Sequence, residues 1–308
     1  MHSNKTYCTS DPAPAHLDRL AQDLVRGAFL ELYLTPKPGL VDLNDSGSHP
    51  DLSVSRMEAS LQIVSSYLGD LADALASGEP LAGQVRLGTA AERAMLRVTG
   101  TNCHRGYIFV SGMLLAASAS VPSLDEKLLS QQIAVIAKRF FARGEYESSN
   151  GSKVRSRYKV GGVRREALSG FATLFEHALP VYRQEIASGG NRGTATYAML
   201  GRLMQTVEDT TALHRCGPEG LKTVQEDGRI LERMVLERED FLVFLTERNA
   251  FYVEQNLTMG GVADLLGLAL AWLSHTGELA APAQRPAAQV EQASAATADP
   301  PRSVSHPL

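Results

Sequence analysis

Apolar residues recur at helical spacing from Leu17 onward, with Leu17, Leu20, Leu24, Ala28 and Leu32 on one face and Ala21, Val25 and Phe29 beside it. The pattern predicts a first helix reaching Tyr33 or Leu34. Pro36 and Pro38 stop it, because proline has no amide donor and disfavours helix in the residue before it. A second helix begins near Ser53 and runs through Leu61, Val64, Leu68, Leu71 and Leu75 to Gly78, a natural helix stop. Val85, Leu87, Ala91, Met95 and Val98 give a third, ending at Gly100. The run from Tyr107 to Ala119 is apolar all round and reads as a buried helix. Ser123 and Glu126 have capping-box spacing and predict a helix to about Phe141. Further helices are expected over Arg164 to His177, Val181 to Ser188, Thr194 to Val207, Glu219 to Asp227, Glu239 to Gln255 and Gly261 to His275. Strand-like alternation is nearly absent, so the fold class is all-α: a single domain of many packed helices, with functional loops at helix ends.

Two kinds of segment break this pattern. Arg143 to Gly162 is charged, rich in Gly and Ser and poor in apolar residues, and reads as a mobile connection or lid. From Glu278 the chain is mostly Ala, Pro, Gln and Ser, a composition that cannot bury enough apolar surface to order itself. The expected organisation is a flexible N-terminus over 1–14, an all-helical catalytic domain over 15–277 and a disordered tail over 278–308. With 308 residues, 44% of them hydrophobic, the chain can bury a substantial core. A net charge of −4 argues against a general nucleic-acid binder. Cys8, Cys103 and Cys216 are too few and too scattered for a disulfide framework or a structural zinc site, which points to a reducing cytoplasm. The N-terminus lacks the features of a secretory signal, and no apolar stretch reaches the ~20 residues that span a bilayer, so a soluble protein with no membrane partner is expected. Oligomeric state stays open, a homo-oligomer included.

The polar residues concentrate in four clusters, each joined to a helix-like run. The first is Thr35-Pro36-Lys37-Pro38-Gly39-Leu40-Val41-Asp42 with Gly47-Ser48-His49-Pro50-Asp51. The second is Thr99 to Gly106, the third Glu208-Asp209-Thr210-Thr211 and the fourth Gly260-Gly261-Val262-Ala263-Asp264. Proline stiffens such loops and glycine admits close backbone approach, so four of them suggest one shared site. Each residue also has a plainer reading. Lys37 could be a solvated lysine, Asp42 a turn or cap residue, Asp264 a helix-start acid, and His49 and His104 satisfied structural histidines.

Pro36-Lys37-Pro38-Gly39-Leu40-Val41 with Gly47-Ser48-His49, then Asn102-Cys103-His104-Arg105-Gly106-Tyr107-Ile108-Phe109, then Asp209 through Arg215 and Gly217, then Gly260-Gly261-Val262-Ala263-Asp264-Leu265-Leu266, resemble in order and spacing the motifs of the triphosphoribosyl-dephospho-CoA synthases. The resemblance covers roughly Leu17 to Trp272. It implies transfer of the triphosphoribosyl group of ATP to 3'-dephospho-CoA with release of adenine, making the prosthetic-group precursor of citrate lyase or malonate decarboxylase. An acceptor other than dephospho-CoA, or nucleotide binding without turnover, are the alternatives.

That chemistry needs carboxylates beside the reacting carbon, cations and amides on the triphosphate, and hard oxygen ligands for Mg²⁺. The resemblance implies Asp42, His49, Asp209 and Asp264 as catalytic groups. It implies Lys37, Gly39, Asn102, His104, Arg105, Arg215, Gly260 and Gly261 as nucleotide and phosphate contacts. Asp51, Glu92, Glu208 and Asp209 are the expected metal ligands, with Glu31 a secondary acid. Glu208 and Asp209 are expected to end an apolar helix, where acids oppose the helix dipole and need a local cause. The chain departs from the family pattern at Cys103, Arg105, Cys216 and Thr258-Met259, where threonine, lysine, glycine and a serine-proline pair are usual.

Overall fold

A computed structural model describes residues 13–121, 123–144, 154 and 156–279. Its helices are α1 (Ala13–Tyr33), α2 (Val54–Ala76), α3 (Leu81–Thr99), α4 (Arg105–Ser120), α5 (Glu126–Ala142), α6 (Gly162–Leu168), a π-helical turn (Thr173–Ala178) running into α7 (Leu179–Ala187), α8 (Arg192–Thr206), α9 (Thr210–Leu236), α10 (Leu242–Gln255) and α11 (Gly260–His275). No strand occurs among the described residues, and the all-α reading of the sequence is borne out.

The two most apolar helices, α4 and α11, pack on each other at the centre. Each is buried on nearly every side, as expected of a helix without a polar face. Around them, α1 lies along α11, α2 bridges α1 and α3, α5 covers α4, and α8 pairs with α9. One continuous core joins Leu20, Leu68, Leu114, Ile133, Leu200, Leu231 and Leu266. Two helix pairs approach so closely that only glycine fits. A Cβ on Gly27 of α1 would lie 2.4 Å from the Gly267 oxygen and the Ala271 nitrogen of α11. A Cβ on Gly228 of α9 would lie 2.6 Å from the Gly201 oxygen of α8.

Most helix ends fall within a few residues of their expected positions, and the exceptions have local causes. The cap of α5 is Asp125, whose carboxylate accepts from the Lys127 and Leu128 amides at 2.9 and 3.0 Å, while Ser123 accepts from the Asp125 amide. The expected helix over Arg164 to His177 is broken by left-handed backbone at Gly170 and Phe171. The Glu219 to Asp227 expectation proves to be the middle of α9, which starts at Thr210 and ends at Leu236. Gly217 kinks that helix with φ 66° and ψ −163°, and Pro218 restarts it with a φ suited to a first turn. Glu208 and Asp209 therefore do not end a helix as C-terminal charges; they precede the start of α9. Half of the expected lid over Arg143 to Gly162, most of the N-terminal segment 1–14 and nearly all of the tail 278–308 lie outside the described residues. No helix among the described residues is long and apolar enough to cross a membrane.

Gly27→Ala should destabilise the fold by about 1–3 kcal/mol, because the added methyl meets backbone that cannot move alone. Urea unfolding measures it; an unchanged midpoint would mean that α1 and α11 can separate freely.

Candidate functional site

All four polar clusters reach a single cavity of about 1030 Å³. His49 and Asp51 come from the first, Asn102, Arg105 and Gly106 from the second, Glu208 to Thr211 from the third, and Gly260, Gly261 and Asp264 from the fourth. The starts of α4, α9 and α11 all lie on its wall. Helix starts carry partial positive charge, and here that charge is met by two carboxyl groups of the chain itself, Asp209 and Asp264.

Asp209 holds two of those starts together. One carboxylate oxygen accepts from the Thr211 and Ala212 amides of α9 at 2.8 and 3.0 Å. The other accepts from the Val262 amide of α11 at 3.0 Å, and the Gly261 amide also donates to this side chain. Its exposure is 0%, so its carboxylate is spent on backbone. Burial pushes the carboxyl above its ordinary value, and the amide donors pull it back. A Cβ at Gly261 would lie 3.1 Å from Asp209 Oδ2, so glycine there permits the close approach.

Asp264, one turn into α11, lies against the start of α4. It accepts from the Tyr107 amide, and a Cβ on Gly106 would sit 1.9 Å from its Oδ2, so glycine is required beside it. Burial, with Asp209 and Glu31 nearby, holds its carboxyl well above the usual range. Asp264 lines both the main cavity and an adjoining one of about 70 Å³, which Glu31, His49 and His104 also line.

The first loop is placed differently from expectation. Lys37, 1% exposed, bonds Glu31 Oε1 at 2.6 Å and also donates to the Glu31 carbonyl. Asp42 accepts from the Lys37, Asn44 and Asp45 amides at 2.8, 2.8 and 3.3 Å. The Gly39 amide donates to Asn249 Oδ1 at 2.9 Å. None of Lys37, Gly39 and Asp42 lines either cavity. The expected phosphate contacts from Lys37 and Gly39 and the expected catalytic role of Asp42 do not match these positions. All three organise the loop, leaving its far end, His49 and Asp51, on the wall.

Arg215 supports that end by donating to the Ser48 carbonyl at 2.6 Å, to Asn256 Oδ1 at 2.9 Å and to His49 Nδ1 at 3.1 Å. With Nδ1 accepting, His49 Nε2 carries the hydrogen toward Thr258 Oγ1, 2.9 Å away. Burial, then Arg215, lowers His49 to about 4, with Asp51 opposing. His104 lies behind the main wall, its Nδ1 2.6 Å from Ser60 Oγ, and burial, then Lys37, lowers it to about 4. Both imidazoles are neutral near pH 7, so His104 brings no positive charge to a phosphate. Arg105 Nε pairs with Glu92 Oε2 at 3.0 Å, and both line the cavity. Glu208 accepts from the Gly161 amide at 2.7 Å and from Arg165 at 2.8 Å. Asn102 Oδ1 is buried without a hydrogen-bond partner beside the cavity.

Among the described residues no three His, Cys, Asp or Glu side chains come together as a metal centre. The expected set Asp51, Glu92, Glu208 and Asp209 is not assembled as one, because Asp209 is committed to backbone amides and Glu208 to Gly161 and Arg165. The wall nevertheless carries six carboxyl groups, Asp51, Glu92, Glu166, Glu208, Asp209 and Asp264, against the arginines 105 and 215. Such a wall suits a hard cation bridging protein oxygens and phosphate, which Mg²⁺ does with one or two carboxylates.

Sequence reasoning missed Glu166 and the apolar part of the cavity. Glu166 on α6 is 7% exposed. Its Oε1 accepts from Thr173 Oγ1 at 2.8 Å, its Oε2 is buried without a partner, and burial raises its carboxyl. A lone glutamate in Arg164-Arg165-Glu166-Ala167-Leu168 carries no local signal of this.

The fold and cavity define an all-helical protein with a large pocket walled by carboxyl groups and two arginines. The sequence pattern of the ATP:dephospho-CoA triphosphoribosyl transferases matches residues 17–281. A probable 2-(5''-triphosphoribosyl)-3'-dephosphocoenzyme-A synthase of Azotobacter vinelandii is 36% identical over 279 residues, covering 86% of this chain and 94% of that one. The 2-(5''-triphosphoribosyl)-3'-dephosphocoenzyme-A synthase of Pectobacterium atrosepticum is 36% identical over 82% of this chain and 87% of its own length. The synthase of Klebsiella pneumoniae is 32% identical over 84% and 91%. No solved structure matches. The chain belongs to the ATP:dephospho-CoA triphosphoribosyl transferase family.

Asp209→Ala should cost about 2–4 kcal/mol, since it removes two helix caps and strands buried amides. Urea unfolding tests this, and a loss under 1 kcal/mol would show that the amides find other partners. A second test follows from His104. Its folded value, about 4, lies below the ordinary 6.5, so the stability linked to it is present above pH 6.5 and lost as pH falls toward 4. The raised carboxyls act oppositely, favouring the folded state when protonated. His104→Gln should therefore lose less stability than the parent between pH 6.5 and 4; parallel curves would contradict the assignment.

Proposed function

We propose that the chain transfers the triphosphoribosyl group of ATP to the 2'-hydroxyl of 3'-dephospho-CoA and releases adenine. The observation that carries this reading is the meeting of three helix starts, two arginines and several carboxyl groups on one cavity large enough for extended ligands. Arg105 faces the triphosphate, while Arg215 holds the His49 loop against it. Asp51, with Glu92 once it leaves its ion pair with Arg105, would hold Mg²⁺, which supplies positive charge to offset the phosphates against an acidic wall.

In the reaction the C1'–N9 bond breaks and its electron pair leaves with adenine, while the acceptor oxygen bonds C1'. Adenine needs a proton as it departs and the hydroxyl must lose one. Asp264, whose carboxyl is held well above the usual range by burial, supplies the proton to the base. A second carboxylate of the wall takes the hydroxyl's proton, the division of labour of paired carboxyls in sugar chemistry. Asp209 positions Asp264 by fixing the start of α11. The free thiols Cys103 and Cys216 fit a cytoplasmic protein.

Purified protein given ATP, Mg²⁺ and dephospho-CoA should release one adenine per triphosphoribosyl adduct, with no adenine from ATP alone. Asp264→Asn should lower kcat by about 10²-fold or more, as expected for loss of a general acid. Absence of adenine with folded, Mg²⁺-supplemented protein would overturn the reading, and a fully active Asp264→Asn protein would remove Asp264 from proton transfer.

A further inference from the structure

The cavity has a second end that phosphate chemistry does not use. Its wall follows α4 from Arg105 to Ala116, roughly 16 Å at the α-helical rise. Away from the helix starts it is lined by Leu71 of α2, Val85 of α3, Phe109 and Met113 of α4, and Ile136 and Phe140 of α5. Few polar groups interrupt this limb. One is Glu166, whose Oε1 is held by the Thr173 hydroxyl at 2.8 Å while the buried Oε2 has no partner. The backbone beyond it, with left-handed Phe171 and a π-helical turn carrying Thr173, is of a kind found at functional sites.

The inference rests on the proposed function, in which the two substrates differ in their apolar parts. ATP offers only a flat purine beside a highly charged tail. The acceptor carries a pantetheine arm, a long and largely aliphatic chain with two amides. A long apolar limb with sparse polar groups fits a chain whose amides recur at intervals, whereas a purine would fill a fraction of its length. We infer that the limb between α2, α3, α4 and α5 holds the pantetheine arm of the acceptor, with Glu166 hydrogen-bonding one of its amides. This orders the substrates along α4, with the reacting ribose at its start and the acceptor's thiol end toward Ala116.

Equilibrium binding tests this without turnover, using dephospho-CoA, ATP with Mg²⁺, and 4'-phosphopantetheine, which carries the arm without the nucleoside. 4'-Phosphopantetheine should displace dephospho-CoA and leave ATP bound. Val85→Phe, on a partly exposed wall position, and Glu166→Leu should each weaken dephospho-CoA by about tenfold while ATP changes by less than about twofold. Glu166→Gln keeps an acceptor oxygen at that position and should restore most of the affinity. Displacement of ATP by 4'-phosphopantetheine, failure of the probe to displace dephospho-CoA, or equal weakening of both substrates by Val85→Phe would overturn the inference. Adenine release by the parent alongside any of those results would leave the reaction standing and remove only this placement.

Discussion

One buried carboxylate makes the candidate site a single site. Asp209 precedes α9 in the chain, yet it caps α9 and the distant α11 together through backbone amides. In a low-dielectric interior those amides would be costly to leave unpaired, so the two helix starts are fixed relative to each other. The third start, at α4, is joined to the pair through Asp264, which sits on α11 and accepts from the Tyr107 amide of α4. Glycines at 106 and 261 let the carboxyl groups come this close to backbone. The apolar pairing of α4 and α11 then holds the arrangement from below.

The electrostatics follow from that geometry. The helix starts already hold Asp209 and Asp264, and the wall around them carries more carboxyl groups than arginines. A phosphate-bearing substrate fits such a wall if some carboxyls are protonated and others meet a cation. Burial raises Asp264 and Glu166 and so favours their protonated forms, while Asp51 and Glu92 line the same cavity. Neutral His49 and His104 act as fixed hydrogen-bonding groups, bonded to Arg215 and Thr258 and to Ser60.

The helices were legible because their apolar spacing is local, and α4 and α11 stood out as apolar all round. The helix expected from Glu219 starts at Thr210 instead, because nothing local shows that Gly217, with left-handed φ, lets one helix continue past a kink. The convergence of the four clusters was also legible, since each carries residues suited to a loop against a ligand. Individual roles were less so. Lys37, Gly39 and Asp42 have the composition of a phosphate loop, yet their polar groups are spent on Glu31, Asn249 and neighbouring amides, which depends on tertiary burial. Asp209 was singled out as a misplaced helix-end acid, whereas its place is the start of the next helix. Glu166 was invisible because its partner Thr173 lies beyond a backbone break that the helical pattern does not reveal.

Amide hydrogen exchange in the parent and in Asp209→Ala tests the coupling of helix starts most directly. The account predicts that Thr211 and Ala212 of α9 and Gly261 and Val262 of α11 are protected in the parent and lose protection together in the variant. Loss at α9 alone, with α11 still protected, would show that the two starts are held independently and would contradict the account.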